Sequence, residues 1–233
     1  LGGLTQVTCK VLPRAATEET FVLRGLRDAG AAAVMATAMG SSADVSSAAH
    51  LPETVCGKVA DGALSGEAAT ALRLEGFGPS VAARRDTLHR LFPAGRIDVL
   101  DEAPPEKLWA DTRDCASFAG AKTPVGGVSR PPMSGPAYVM DLRMQTAADA
   151  FYDWQGGLVW LAMLDGPQAE TVRGLVARHG GGDATLVRAS SSIRNATPPF
   201  HPQPPALAAL SKRLKEEFDP KGMLNPGRLM AGV

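Results

Sequence analysis

The sequence predicts an α+β protein in which a mainly antiparallel sheet, assembled from two βαββαβ units, carries helices packed on one face. Three observations predict it. Strand and helix patterns follow one another in the same order twice along the chain; residues 69–75 (ATALRLE) alternate apolar and polar side chains; and residues 151–163 (FYDWQGGLVWLAM) form two aromatic-rich runs around a pair of glycines.

The elements can be justified in order. Residues 1–13 read as a strand with Leu4, Val7, Val11 and Leu12 in the apolar register, continuing from an upstream segment. Residues 20–25 supply a short strand. The Ala-rich stretch 28–39 has high helix propensity and stops at Gly40-Ser41-Ser42. Residues 45–50 return as a strand, and a Gly- and Ser-containing connection leads to the alternating strand 69–75. Gly76-Phe77-Gly78-Pro79 marks a turn, helix 80–91 sets Val81, Leu88 and Leu91 near one face with Phe92, and residues 95–100 add another strand.

A linking helix over 105–115 carries Leu108 and Trp109, after which the order repeats. Residues 124–131 form a Pro- and Gly-rich strand, 135–143 a short helix, and 151–163 a hairpin turning at Gln155-Gly156-Gly157, where glycine supplies the positive φ of a tight turn. Helix 168–179 opens after Pro167, aligns Val172, Leu175, Val176 and His179, and stops at Gly180-Gly181-Gly182. Residues 185–189 close the second unit. Each unit has the ferredoxin-like order, and two such units can merge into one wide sheet. The repeat lies in element order alone, without residue identity between the halves.

The tail differs in character. Residues 198–205 are an extended Pro-rich connector, and helix 206–218 lines up Leu207, Leu210, Leu214 and Phe218, a stripe expected to dock on another surface. Asp219-Pro220-Lys221-Gly222 has the placement of a type I turn, and Asn225-Pro226-Gly227-Arg228 that of a type II turn.

Composition narrows the function classes. Lys plus Arg and Asp plus Glu each total 24, so no broad field of one sign draws the chain to nucleic acid or an anionic membrane. Cys9, Cys56 and Cys115 are odd in number, far apart and without a CxxC pair, which fits a reducing, cytoplasmic setting. No apolar run approaches the roughly 20 residues of a membrane helix. Neither a Walker loop nor GxGxxG occurs. His179-Gly180-Gly181-Gly182 has no GxSxG elbow beside it, so it reads as a helix stop, with no hydrolase implied. His50, His89, His179 and His201 have no metal-binding spacing, and no metal is expected.

The ending FDPKGMLNPGRLM, residues 218–230, resembles the terminal signature of FAD-linked oxidases of the vanillyl-alcohol oxidase type. The opening LGGLTQVTCKVLP resembles the last strand of that family's flavin-binding domain. VSRPP at 128–132 and YDWQGGLVWL at 152–161 resemble, within the family, the FAD-binding subunit of bacterial glycolate oxidase. The resemblance implies three parts: 1–13 as the end of a flavin-binding domain, 14–197 as the cap or substrate domain, and 198–233 as a terminal helix and tail.

It further implies FAD in the intact protein, weakly retained by this part alone, and oxidation of small 2-hydroxy acids such as glycolate. Its implied partners are a sister flavoprotein and iron–sulfur subunits, which could hold it beside the inner membrane. A self-sufficient alcohol or hydroxy-acid oxidase and a non-catalytic subunit-interaction module are the alternatives. The His-rich cap motif of self-sufficient relatives is missing, and no general base can be named.

Candidate site residues follow from the motifs. Asn225, Gly227 and Arg228 can approach the flavin or its pyrophosphate, because a tight turn brings backbone close and Arg forms fork-like bonds with phosphate; folding the terminus back is the plainer role. Arg130 can face the flavin side and hold a carboxylate, or be a surface arginine on an edge strand. Trp154 can stack on a ring while Asp153 orients an arginine; a packed sheet residue beside a turn-capping carboxylate is the plainer pairing. Arg73 and Glu75, two apart on a strand, are expected to form a solvated ion pair.

Overall fold

The computed structural model describes residues 4–11, 13–93, 97–99 and 105–227. Its strands are β1 (Thr17–Arg24), β2 (Ser47–Leu51), β3 (Ala69–Gly76), β4 (Ile97–Val99), β5 (Val125–Ser129), β6 (Ala148–Asp153), β7 (Leu158–Met163) and β8 (Asp183–Arg188). Its helices are α1 (Asp28–Met39), α2 (Glu53–Cys56), α3 (Gly78–Leu91), α4 (Pro105–Arg113), α5 (Gly135–Arg143), α6 (Ala169–Arg178), α7 (Ser191–Ala196) and α8 (Pro205–Phe218).

The strands form one sheet in the order β4-β1-β3-β2-β6-β7-β5-β8, with every neighbouring pair antiparallel. Read as two units, the first has its strands in the order four, one, three, two, and the second repeats that order in reverse, so the second strands of the two units meet at the centre. This is the α+β double ferredoxin-like sheet that the sequence predicts.

Strand alternation divides the apolar residues into two cores. Phe21 and Leu23 of β1 and Leu72 and Leu74 of β3 face one side, where they pack with Met35, Ala38, Val81, Leu88, Tyr138, Leu142, Leu175 and Val176 of the crossover helices α1, α3, α5 and α6. Val22, Ala49, Ala69, Ala71 and Phe151 face the other side, where Val55, Cys56, Val59, Leu64, Leu108 and Phe118 cover part of the sheet. The connection after β2 therefore holds more structure than its glycines and serines suggested: α2 and a 3-10 turn at Ala60–Gly62 lie within it. A second unforeseen helix, α7, starts where Ser190 Oγ accepts from Ile193 N at 3.4 Å.

One expectation is corrected. Residues 4–11 carry no regular secondary structure, and Leu4, Val7 and Val11 are exposed; Leu1 and Leu12 lie outside the described residues. An apolar register forms a strand only when a neighbour takes up its backbone hydrogen bonds. The Leu stripe of α8 is likewise exposed at Leu207, Leu210, Leu214 and Phe218. Local propensity and Pro205 in the first turn suffice to form that helix, and no described residue of this chain covers its stripe.

The first turn expected in the tail is present, and the second runs into Arg228, outside the described residues. Gly222 N donates to Asp219 O at 2.9 Å, and Gly227 has a positive φ of 67°.

Candidate functional site

On the side opposite the crossover helices, the sheet is covered only in part. Beyond that cover its strands carry polar side chains in two groups, one on each ferredoxin-like unit.

The first group stands on β1 and β3. Arg73 Nη2 lies 2.6 Å from Glu18 Oε2 and 3.0 Å from Glu75 Oε1. The Arg73 guanidinium also lies 5.9 Å from the Trp109 ring, and Trp109 Nε1 donates to Thr20 Oγ1 at 2.9 Å. The expected Arg73–Glu75 pair therefore exists, but Glu18 joins it and all three side chains are largely shielded. They line a cleft of about 710 Å³ together with Ser46 and Gly76, and Arg14 pairs with Glu106 at 2.7 Å on its edge.

The second group stands on β6 and β7. Asp153 Oδ1 accepts from Trp154 N at 2.7 Å. Burial pushes its carboxyl pKa up, and the Trp154 backbone N–H and the Trp160 side chain only partly oppose this. Trp160 lies against Gly127 of β5 and stacks with Phe151, ring centroids 6.3 Å apart; its indole N–H is buried without a well-formed hydrogen bond. Nearby, burial pushes the Cys115 thiol up to about 11, with Arg188 acting in the opposite sense.

The residues singled out from the sequence are not brought together in one place. Alternation along β5 sends Arg130 to the helix side, where its guanidinium sits 4.6 Å over the Tyr138 ring, Nη2 donates to His179 O at 2.6 Å and Nε donates to Ser134 Oγ at 3.2 Å. Arg130 is buried, its pKa is lowered by that burial, and Nη1 has no hydrogen-bond partner among the described residues. Asp153 lies on the opposite side of the sheet. Trp154 is exposed on the turn between β6 and β7, with φ 49°.

Asn225 and Gly227 belong to the tail. Gly227 lines a separate cleft with Lys212, Lys215, Glu216 and Asp219, and Asn225 adopts φ 51°. Arg228 lies outside the described residues. Asp219 organises the tail: its carboxylate accepts from Lys215 Nζ at 2.6 Å, Leu224 N at 2.7 Å and Met223 N at 3.0 Å.

Sequence reasoning missed Glu18, Trp160 and Cys115. Strand parity could have aligned Trp160 with Asp153, since residues 153 and 158 pair across the hairpin and 160 follows on the same face. Glu18 carried no such signal, because its partner is 55 residues away.

Among the described residues no group of three or more His, Cys, Asp or Glu is arranged to hold a metal ion, and no helix is long and apolar enough to cross a membrane.

No family model matches the sequence, and no curated protein matches it. The fold does match solved structures. One is p-cresol methylhydroxylase with substrate bound, at a TM-score of 0.63 and 13% identity over 93% of this chain and 53% of that one. Another is 4-ethylphenol oxidase from Gulosibacter chungangensis in its isoeugenol complex, at 0.60 and 13% over 94% of this chain and 55% of that one. A third is alkyldihydroxyacetonephosphate synthase, at 0.54 and 13% over 89% and 44%. This chain spans about half the length of the solved chains it matches, and what it has in common with them is the fold, an α+β domain on a broad antiparallel sheet.

Proposed function

We propose that this chain is the cap domain of an FAD-dependent oxidoreductase, and that its incompletely covered sheet face lies over the flavin. The observation that carries the reading is the fold likeness to p-cresol methylhydroxylase and 4-ethylphenol oxidase across nearly all of this chain, together with the FDPKGMLNPGRLM ending. The finer reading is a subunit like the FAD-binding subunit of glycolate oxidase, cytoplasmic, working with sister flavoprotein and iron–sulfur subunits on a small 2-hydroxy acid.

The residues present fit a planar, hydrogen-bonding group. Trp160 offers a flat aromatic floor beside Gly127 and a buried indole N–H without a good partner, and Asp153 offers an acceptor near it. FAD, when bound, supplies the hydride acceptor for the substrate carbon. Asp153 and the Trp160 N–H orient polar atoms at this face, and the packed side chains around them exclude water. Arg130 acts from behind, fixing the end of β5 through Ser134 and His179. Asn225, Gly227 and Arg228 are proposed to meet the flavin's pyrophosphate across the domain junction.

The test uses the intact protein with its partner subunits. It should purify yellow, or turn yellow on addition of FAD, and its flavin absorbance should bleach under glycolate without oxygen. Material that stays colourless with FAD overturns the reading, and bleaching by an alkylphenol but not by glycolate overturns the finer one. The exposed Leu stripe of α8 favours one second reading, a module that binds a partner subunit without chemistry of its own. Capture of a purified flavoprotein subunit by flavin-free chain would support that role.

A further inference from the structure

The two four-stranded units meet along the least-paired junction of the sheet. β2 and β6 share one residue pair, His50 opposite Tyr152, whereas β1 and β3 share eight pairs, β6 and β7 six, and β5 and β7 five. A single backbone pair cannot specify strand register in the way a longer ladder does. The side chains on that pair, together with the packing of α1 against α5, supply the specification.

They converge on one carboxylate. Asp28, the first residue of α1, accepts from Tyr152 Oη at 2.6 Å through Oδ2, and its Oδ1 lies 3.4 Å from His50 Nε2. Arg143 of α5 reaches the same carboxylate at 3.4 Å, and His50 Nδ1 is tied to Thr70 Oγ1 of β3 at 2.9 Å. His50 and Tyr152 are fully buried, and the Tyr152 ring is wedged against Gly135, where an added Cβ would sit 3.2 Å from it. One side chain of the first unit therefore holds a strand and a helix of the second. Burial opposes ionisation of Asp28, but the contact with His50, the hydrogen bond from Tyr152 and the Arg143 charge outweigh it, so its pKa is lowered.

We propose that the β2–β6 seam is the hinge of the sheet and that Asp28 is its latch, so that releasing Tyr152 lets the two units move against each other as bodies. The consequence reaches the opposite face. Glu18, Arg73 and Glu75 ride on the first unit and Asp153 and Trp160 on the second, so the latch sets the separation of the two polar groups. This inference stands whether or not a flavin binds there.

Hydrogen exchange followed by mass spectrometry on the whole chain tests it. In the native protein, amides of β2 and β6 that face the seam should exchange through an opening that exposes less surface, with a weaker denaturant dependence, than those of the β1–β3 and β5–β7 ladders. Tyr152→Phe, which keeps the ring and removes the donor, should speed exchange about tenfold at the amides of β2 and β6 that face the seam, and leave amides bonded within the β1–β3, β2–β3, β6–β7 and β5–β7 ladders unchanged. Asp28→Asn should do the same or more. Equal acceleration of all strands would make Asp28 an ordinary stabilising contact and overturn the hinge, as would seam amides that exchange only with global unfolding. Should neither variant fold, the denaturant dependence in the native protein decides.

Discussion

Arg130 holds its guanidinium 4.6 Å above the Tyr138 ring on the helix side of the sheet, while Asp153, two strands away, lies on the other side and caps the turn at Trp154. The two therefore answer differently to substitution. Arg130→Ala removes bonds to His179 O and Ser134 Oγ and unstacks Tyr138, and should cost about 2–3 kcal/mol in urea unfolding. Arg130→Lys should recover little of this, since an ammonium cannot bond at two points and stack. Asp153→Asn should cost about 1 kcal/mol or less, because it weakens one cap. Equal losses for the two would contradict the placement of these side chains.

The glycine run after α6 makes a sharper comparison. At Gly182, φ is 122° and an added Cβ would overlap Ser129 O, whereas at Gly180, φ is 89° and no described residue lies within 4 Å of one. Gly182→Ala should cost on the order of 3 kcal/mol or more, since it combines backbone strain with overlap against main chain. Gly180→Ala carries the strain alone and should cost about 1 kcal/mol. Thermal melts of both variants check the ratio.

The three thiols should differ in reactivity. Cys9 is exposed, Cys56 is buried, and Cys115 is half-buried with its pKa raised to about 11, while burial also raises that of Cys56. The thiolate is the reacting form. At pH 8 a chromogenic disulfide should consume one thiol quickly and two slowly, and all three together in denaturant. A second fast thiol in the native chain would show that the cover over Cys115 or Cys56 opens readily.

Asp219 sets the acid response of the tail. The hydrogen bond from Lys215, followed by those from the Leu224 and Met223 amides, lowers its pKa to about 2, against roughly 3.9 in an unfolded chain. With the folded value the lower one, its contribution is complete above about pH 4 and is lost as pH falls through about 2. A carboxyl-carbon NMR titration should give a midpoint near 2. A midpoint near 4 would mean that the loop over residues 219–224 is not held. Asp219→Asn should speed proteolytic removal of the tail at neutral pH.

Much of the element map was legible locally. The Ala-rich run stopped by Gly40 and the segment opening at Gly135-Pro136 gave helices whose bounds the structure repeats, Asp28–Met39 and Gly135–Arg143. Propensity, proline at a first turn and glycine beyond a last one act within a few residues, so they can be read without knowing the fold. Helix α2 escaped because its four residues are too few to show a period, and it is fixed by the burial of Val55 and Cys56 under the sheet.

The sequence by itself determined the order of strands and helices, and through it the double antiparallel sheet, because hydrophobic periodicity and turn chemistry are local properties of the chain. Only the tertiary structure decided which side of the sheet Arg130 takes, that Glu18 crosses 55 residues to meet Arg73, and that Asp28 fastens Tyr152 of the other unit. Those outcomes depend on register, parity and the surfaces left free after packing, which are set by contacts between segments far apart in the chain and leave no periodic trace within any one of them.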